Sequence, residues 1–211
     1  MLSRVKQLLK RTPVGSLVSW IDRAPTAARV ELDRRLSEIL FGLEAFVALD
    51  IGAGQRSYRE RIRGCKLYIR MDVDSRFQCD VAGDACAIPL QNSSCDLVLA
   101  IEVLEHIRRP WLAVPELRRV LKPTGVCILS TRFMYPLHGR PGDYWRYSRY
   151  ALELLFAEFS HTTVYPLGSR AAAVFDFYTG GRNPLRRLSW IPASFRPNDV
   201  YASGFLVVAR R

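Results

Sequence analysis

The sequence predicts an α/β fold in which a doubly wound, mostly parallel sheet carries helices on both faces. Two observations lead to this prediction. Short runs of apolar residues recur between residues 45 and 131, and each is apolar throughout, as in strands buried on both faces. Helical or turn-rich stretches separate these runs, and such alternation favours right-handed βαβ units.

An N-terminal helical extension, residues 1–44, precedes the first strand candidate. Its clearest segment is ARVELDRRLSEILFGLEAF, in which five apolar residues fall near one helical face: Val30, Leu32, Leu36, Ile39 and Leu40.

The central region, residues 45–131, contains the strand candidates AFVALD, KLYIRMD, CDLVLAI and GVCILST. Between them, RSYRERIRG and RPWLAVPELRRVLKPTG predict helices, and Gly64 and Gly125 stand where C-cap glycines would stand.

The pattern changes in residues 132–211. RFMYPLHGRPGDYWRYS is aromatic and rich in turn residues, and Ser148 is an N-cap candidate for a helix through RYALELLFAEF. HTTVYPL and ASGFLVVAR are two further strand candidates, separated by a loop-like stretch. We expect these three regions to form a single domain over residues 1–211.

The chain of 211 residues has a formal net charge of +11. This excess favours anionic partners, but the basic residues are scattered, and an ordinary solvated basic surface explains them equally well. The five cysteines include no C-x-x-C pair, which predicts a reduced, intracellular protein. No metal site is expected, because His106, His138 and His161 lack ligand spacing with the cysteines.

No apolar run approaches the length of a membrane span. The first 20 residues carry basic and no acidic side chains, without the continuous apolar region of a signal peptide. We therefore expect a cytoplasmic protein, and peripheral contact of the basic N-terminus with an anionic membrane stays open.

The most informative motif is Asp50-Ile51-Gly52-Ala53-Gly54, directly after the first strand candidate. Glycines at this place let the backbone turn tightly and approach a ligand. The third glycine of the dinucleotide fingerprint is absent, which disfavours a pyrophosphate ligand. Asp72 ends the next strand candidate roughly 20 residues later, where a carboxylate meets ribose hydroxyls. Asp74 is interpreted as a surface turn residue.

Four segments in order, LDIGAG, MDVD, GDACAIPL…CDLVLAIEVLEHI and LRRVLKPTGVCILST, extend from Val47 to Ser130. Here the chain resembles the Rossmann-like (class I) S-adenosylmethionine-dependent methyltransferases, in particular the methyltransferase type 11-like branch. The resemblance implies a seven-stranded Rossmann-like sheet and S-adenosylmethionine as cofactor. It also implies that Lys122-Pro123-Thr124-Gly125 is a turn before the fifth strand.

The resemblance assigns roles to individual positions. Gly52, Ala53 and Gly54 would pass beneath the methionine portion of the cofactor, with Asp50 orienting the loop and the amino group. Asp72 would hold the ribose. Asp84 and Ala85 would form the adenine site. Glu102 and Val103 would line the wall of the cofactor pocket. Three carboxylates suit a cationic sulfonium and would repel the pyrophosphate of NAD.

The acceptor side is less defined by the sequence. Methyl transfer depends mainly on positioning and on exclusion of water, and a base is needed only if the acceptor must lose a proton. The catalytic candidates are His138, Asp143 and Tyr144, and the substrate-binding candidates are Arg140, Trp145 and Arg146. His106 is interpreted as architecture. The segment GDYWRYS is similar to one in relatives near polysaccharide or lipid-carrier biosynthesis, and we expect it to form a lid.

These observations favour methyl transfer to a small molecule or to a glycan or lipid precursor. A nucleic-acid methyltransferase and a non-catalytic S-adenosylmethionine-binding protein of the same fold remain open, and an NAD-dependent oxidoreductase is disfavoured. The sequence determines neither the acceptor nor the oligomeric state.

Overall fold

The computed structural model describes residues 26–77, 79–139, 142–179 and 199–211. The basic N-terminal segment and Arg140, a predicted substrate residue, lie outside the described residues. Within the described ranges, no helix combines the length and the apolar character needed to cross a membrane.

The centre of the fold is a seven-stranded sheet, in agreement with the prediction. Its strands are β1 (Val47–Ile51), β2 (Leu67–Asp72), β3 (Val81–Ala82), β4 (Cys95–Ile101), β5 (Leu121–Arg132), β6 (His161–Leu167) and β7 (Gly204–Arg210). The order across the sheet is β3-β2-β1-β4-β5-β7-β6. Strand β7 runs antiparallel to both neighbours, and the other pairs are parallel.

The described helices are α1 (Ala27–Phe41), α2 (Pro110–Val120), α3 (Arg149–Leu155) and α4 (Arg170–Thr179). The Thr26 hydroxyl caps α1 by accepting from the backbone N–H of Arg29 at 3.2 Å. The apolar face of α1 buries Leu32, Leu36 and Leu40 against one side of the sheet. Helices α2 and α3 pack on the other side, so helices cover both faces as predicted.

Two predicted helical segments of the central region are shorter than expected. RSYRERIRG forms only a 3₁₀ turn at Arg59–Arg61, because the backbone N–H of Tyr58 donates to the Tyr68 hydroxyl and Ile62 is already extended. Gly64 therefore caps no α-helix, although it has a positive φ of 68°. The second segment ends at Val120, and β5 begins with the next residue.

The predicted Lys122–Gly125 turn lies inside β5 rather than before it. Leu121 pairs with Cys95, and the next paired residues are Val126 and Leu97. Residues 122–125 are thus additional residues in β5 that bulge out of the pairing register. Strand β3 and helix α4 had no counterpart in the sequence prediction, which took the region around α4 as loop.

Candidate active-site cleft

The carboxyl ends of β1, β2 and β4 open into a cleft with two halves that share Gly52, Glu102 and His106. The half beside β2, here the β2-side half, has a volume of about 670 Å³ and is lined by Asp72, Asp84, Ala85, Val103 and Tyr144, among others. The half beside α1, here the α1-side half, has a volume of about 630 Å³ and is lined by Arg29, Asp50, Arg56, Arg132, Tyr135 and His138, among others. The cleft lies where ligands bind in open α/β sheets.

The glycine turn after β1 forms the floor shared by both halves. Gly52 and Gly54 have positive φ angles of 64° and 50°. A Cβ atom on Gly52 would lie 2.5 Å from Cγ2 of Val103, whereas one on Gly54 would meet nothing within 4 Å. Gly52 is therefore required by the conformation and by close packing, and Gly54 leaves open space for a ligand.

Asp50 is almost completely buried beneath this turn, at 1% exposure. The Tyr68 hydroxyl donates to its Oδ2 at 2.5 Å. Burial raises the pKa of Asp50 to about 7, because its effect exceeds the opposing effects of the Tyr68 hydrogen bond and the nearby Arg70 charge. Arg70 in turn donates to the carbonyl oxygen of Gly54, which links the end of β2 to the turn.

Asp72, at the end of β2, is oriented by two backbone N–H groups. Asp74 donates to Oδ1 at 2.9 Å and Gly54 donates to Oδ2 at 3.2 Å. Each carboxylate oxygen has a further lone pair, so Asp72 can still accept two hydroxyl donors from a diol. Asp74 instead forms an exposed ion pair with Arg76.

Asp84 and Ala85 line the β2-side half together with Asp72. Asp84 is exposed, and its Oδ1 accepts from the backbone N–H of Cys86 at 2.8 Å. Ala85 is buried. The turn around them is closed by a hydrogen bond of 2.9 Å from the Ala87 N–H to the Asp84 carbonyl oxygen.

Glu102 separates the two halves and has a left-handed backbone, with φ of 62°. Its carboxylate accepts the Ser130 hydroxyl at 2.9 Å and forms an ion pair with Arg132. A non-glycine residue in this conformation costs free energy, and such strained residues concentrate at functional sites.

Arg146 holds the predicted lid segment together. Its guanidinium donates to both carboxylate oxygens of Asp143, at 2.6 and 2.7 Å, and to the carbonyl oxygens of Tyr135 and Pro136. Burial raises the pKa of Asp143, but the Arg146 hydrogen bonds and the His138 N–H outweigh this and hold it at about 2. The donors of Arg146 are thus directed into the segment itself.

The two aromatic candidates of this segment are partly exposed. Tyr144 lines the β2-side half and is 49% exposed. Trp145 stacks edge to face on Trp111 with ring centroids 5.9 Å apart, which fixes the segment to α2.

Sequence reasoning missed Glu105, which lies next to His138. Its side chain is fully buried, its Oε2 accepts the Thr131 hydroxyl at 2.8 Å, and its Oε1 lies 3.8 Å from Nε2 of His138. Burial and the nearby Glu102 charge raise the pKa of Glu105, and burial lowers the pKa of His138. The neighbouring Glu105 and His106 in LEHI could have indicated a cluster of polar side chains. His138 is distant in the sequence, so no local pattern could place it beside them.

The α1-side half contains three basic residues that were also not predicted: Arg29, Arg56 and Arg132. Arg29 pairs with Asp33 and donates to the Tyr58 hydroxyl at 3.0 Å. They come from α1, from the segment after β1 and from the end of β5, so no local motif joins them.

Comparison with known proteins gives a family match to the region that contains β1 to β4 and the turns that follow them. Residues 36–129 match the family model described as methyltransferase domain. A relative from Mycobacterium bovis, called an uncharacterized methyltransferase, is 40% identical over 60 residues, which is 28% of this chain and 24% of the relative. The chain thus matches only about a quarter of the length of this relative.

Solved structures with the same fold cover most of the chain. A SAM-dependent methyltransferase from Archaeoglobus fulgidus is 12% identical with a TM-score of 0.54, covering 88% of this chain and 95% of its own. A Burkholderia thailandensis 1,6-didemethyltoxoflavin-N1-methyltransferase, solved with bound S-adenosylhomocysteine, is 17% identical with a TM-score of 0.52. It covers 84% of this chain and 77% of its own. At these identities the likeness establishes the fold.

Proposed function

We propose that this protein, which carries a Rossmann-like S-adenosylmethionine-dependent methyltransferase domain, transfers a methyl group to a small molecule or to a glycan or lipid precursor. The family match and the fold shared with solved S-adenosylmethionine-dependent methyltransferases support S-adenosylmethionine as the cofactor. The observation that carries the proposal for the whole protein is the two-part cleft: its β2-side half has the donors and acceptors of a nucleoside site, and its α1-side half is a separate polar chamber.

The residues of the β2-side half fit the cofactor. Asp72 retains lone pairs for the two ribose hydroxyls, and the space above Gly54 admits the chain that joins ribose to sulfur. Asp84 and the backbone at Ala85 would contact the adenine, and Val103 would pack on its face. Asp50 lies below the turn, on the side of the α1-side half, where it would attract the amino group of the methionine portion.

When bound, S-adenosylmethionine supplies a methyl group that is activated by its attachment to a positively charged sulfur. The protein therefore has to hold the acceptor in line with that carbon and exclude water. Glu102 and His106 belong to both halves and would line the passage between cofactor and acceptor. The segment GDYWRYS, whose Arg146 donates to Asp143 and to the carbonyl oxygen of Tyr135, would cover this passage as a lid.

The α1-side half is suited to a polar or anionic acceptor. Arg29, Arg56 and Arg132 line it together with Asp33 and Asp50, and arginine forks bind phosphate, carboxylate and sugar hydroxyl groups. Its volume of about 630 Å³ matches a small molecule or the end of a longer precursor. These properties support the small-acceptor interpretation over binding of a nucleic-acid duplex.

His138 is the residue that would remove a proton from the acceptor where the reaction requires it. Burial lowers its pKa, so its imidazole is neutral near pH 7 and can accept a proton. Asp143, 3.2 Å from its Nδ1, would stabilise the imidazolium that results. Tyr144, on the other side of the passage, is placed to contact the cofactor rather than the proton.

The direct test is incubation of the purified protein with methyl-labelled S-adenosylmethionine and separated cell extracts: small molecules, lipids and glycans, and nucleic acids. We expect label in one of the first two fractions. The matched controls are Asp72→Asn, which should strongly reduce labelling at limiting S-adenosylmethionine, and Asp74→Asn, which should retain it. Label confined to a nuclease-sensitive product, or cofactor binding without label in any fraction, would overturn the proposal in favour of a nucleic-acid methyltransferase or a non-catalytic binding protein.

A further inference from the structure

Three side chains beside the passage have the chemistry of metal ligands. Glu105, His106 and His138 each offer one ligand atom, and these atoms all lie within 4.8 Å of one another. Glu105 and His106 belong to the 3₁₀ turn Leu104–His106 that follows β4, and His138 follows β5. The cluster thus joins two neighbouring strand ends in the fold.

Both imidazoles have an oxygen next to Nδ1. Nδ1 of His106 lies 2.5 Å from the carbonyl oxygen of Gly142, which can only accept, so this nitrogen carries the proton. Nδ1 of His138 lies 3.2 Å from Oδ2 of Asp143. This arrangement leaves Nε2 of His106 with a lone pair, as in metal-bound histidines whose second nitrogen donates to a carbonyl oxygen. Nδ1 of His138 makes no hydrogen bond within the described residues, so its Nε2 is free to carry the lone pair of the neutral ring.

The carboxylate of Glu105 provides an independent observation. The side chain is fully buried, and Oε1 has no hydrogen-bond partner within the described residues. The nearest ring nitrogen, Nε2 of His138, is 3.8 Å away, beyond hydrogen-bond distance. A buried carboxylate oxygen without a partner is costly, so its position near the two rings points to a cation site among the three side chains.

We propose that Glu105, His106 and His138 bind one divalent transition-metal ion. Two imidazoles and one carboxylate suit zinc, iron(II) or manganese(II), whereas magnesium and calcium prefer sites made of oxygen alone. Ligands about 2.1 Å from a tetrahedral zinc lie roughly 3.4 Å apart, so the 3.8 Å between Glu105 and His138 needs only a small contraction. With three protein ligands, at least one coordination position remains open.

The open position would face the α1-side half, because His106 and His138 both line it. The ion would there bind an oxygen of the acceptor, such as a hydroxyl or carboxylate, and lower the pKa of a coordinated hydroxyl so that its proton passes to solvent water. This role rests on the proposed methyl transfer, whereas binding of the ion does not. With the ion bound, His138 is a ligand, and the ion replaces it in activating the acceptor.

The test uses untagged, chelator-treated protein titrated with Zn²⁺ by calorimetry and with Co²⁺ by visible absorption. We expect one ion per chain and a Co²⁺ spectrum without the intense thiolate bands that the free cysteines would produce. His138→Gln, on the cleft wall, and Glu105→Gln, in the interior, should each weaken binding at least about tenfold. His161→Gln, at the exposed first residue of β6, is the matched control and should bind like the unmodified protein.

Circular dichroism of each metal-free variant separates loss of the site from loss of the fold, and His138→Gln keeps the test decisive if Glu105→Gln does not fold. Binding that is substoichiometric, or equal in His138→Gln and the unmodified protein, would overturn the metal site. Calorimetry with S-adenosylhomocysteine on the metal-free protein tests the proposed function separately. Cofactor binding without metal binding would contradict this inference alone.

Discussion

Gly52 and Val103 are packed so closely that a Cβ atom on Gly52 would lie 2.5 Å from Cγ2 of Val103. One residue belongs to the turn after β1 and the other to the end of β4, so this contact fixes the distance between the floor and the wall of the cleft. Both residues stand on the β2-side half, where we place the cofactor.

Gly52→Ala should therefore weaken binding of S-adenosylhomocysteine by at least about tenfold, because strain at a positive φ and displacement of Val103 act together. Calorimetry measures the effect. Gly42→Ala is the matched control, since Gly42 has φ of −83° and its Cβ would meet no atom closer than 3.6 Å. Equal affinities of the two variants would contradict the placement of the cofactor over this turn.

Asp72→Asn should weaken S-adenosylhomocysteine binding about 10- to 100-fold, the range expected for hydrogen bonds to a charged group. The amide of asparagine presents only one acceptor oxygen, and the NH2 group that replaces the other oxygen can accept neither a backbone N–H nor a ribose hydroxyl. Calorimetry against Asp74→Asn provides the comparison, because Asp74 is paired with Arg76 at the surface. A larger loss of affinity in Asp74→Asn would show that Asp74, and not Asp72, binds the ribose.

The fold was predictable because its signals are local. Buried parallel strands are continuous apolar runs, so CDLVLAI was predicted with the bounds that β4 has. HTTVYPL was also predicted with the bounds of β6, an antiparallel strand at the sheet edge. The Ser148 cap was also confirmed: its hydroxyl accepts from the Ala151 N–H at 3.3 Å. Strand β3 has two residues, too few to produce a pattern, and the KPTG bulge depends on pairing with β4 that no local rule supplies.

The sequence could predict only those residues of the candidate site that lie at the end of a single strand or in the turn directly after it. Gly52, Asp72 and Glu102 each follow or end a strand, and their place in the sheet follows from chain order. The Glu105–His138 proximity instead depends on how the segment after β5 folds back over the 3₁₀ turn after β4. The histidine spacing gave no indication of a metal site because its ligands come from two separate strand ends.

Arg146→Lys should loosen the lid segment. A lysine ammonium cannot form the two parallel hydrogen bonds that Arg146 makes to Asp143 while also reaching the carbonyl oxygens of Tyr135 and Pro136. Hydrogen exchange should accelerate at the N–H groups of His138 and Tyr144, which donate to Asp143 and to the Glu105 carbonyl oxygen.

Arg149→Lys is the control for that experiment, because Arg149 pairs with the surface carboxylates Glu153 and Asp199. Its exchange pattern over residues 142–147 should match that of the unmodified protein. Affinity for S-adenosylhomocysteine should be retained in both variants. Unchanged exchange in Arg146→Lys would show that the aromatic contacts alone order the segment.

The buried Asp50–Tyr68 pair predicts a specific pH dependence of stability. The pKa of Asp50 is raised from 3.8 to about 7 in the folded protein, chiefly by burial. Between these two pH values the folded state holds a proton that the unfolded state has lost, so Asp50 contributes stability in acid that disappears as the pH rises through about 7.

Asp50→Asn removes this titration and keeps an oxygen that can accept the Tyr68 hydroxyl. We expect the free energies of unfolding of the variant and the unmodified protein to agree near pH 4 and to diverge as the pH rises. At pH 8 the variant should be the more stable, by up to about 4 kcal/mol for a shift of roughly three pKa units. Denaturant unfolding at several pH values, without cofactor, measures the difference. A difference that does not change with pH would mean that Asp50 is ionised throughout and that its charge is compensated by Arg70.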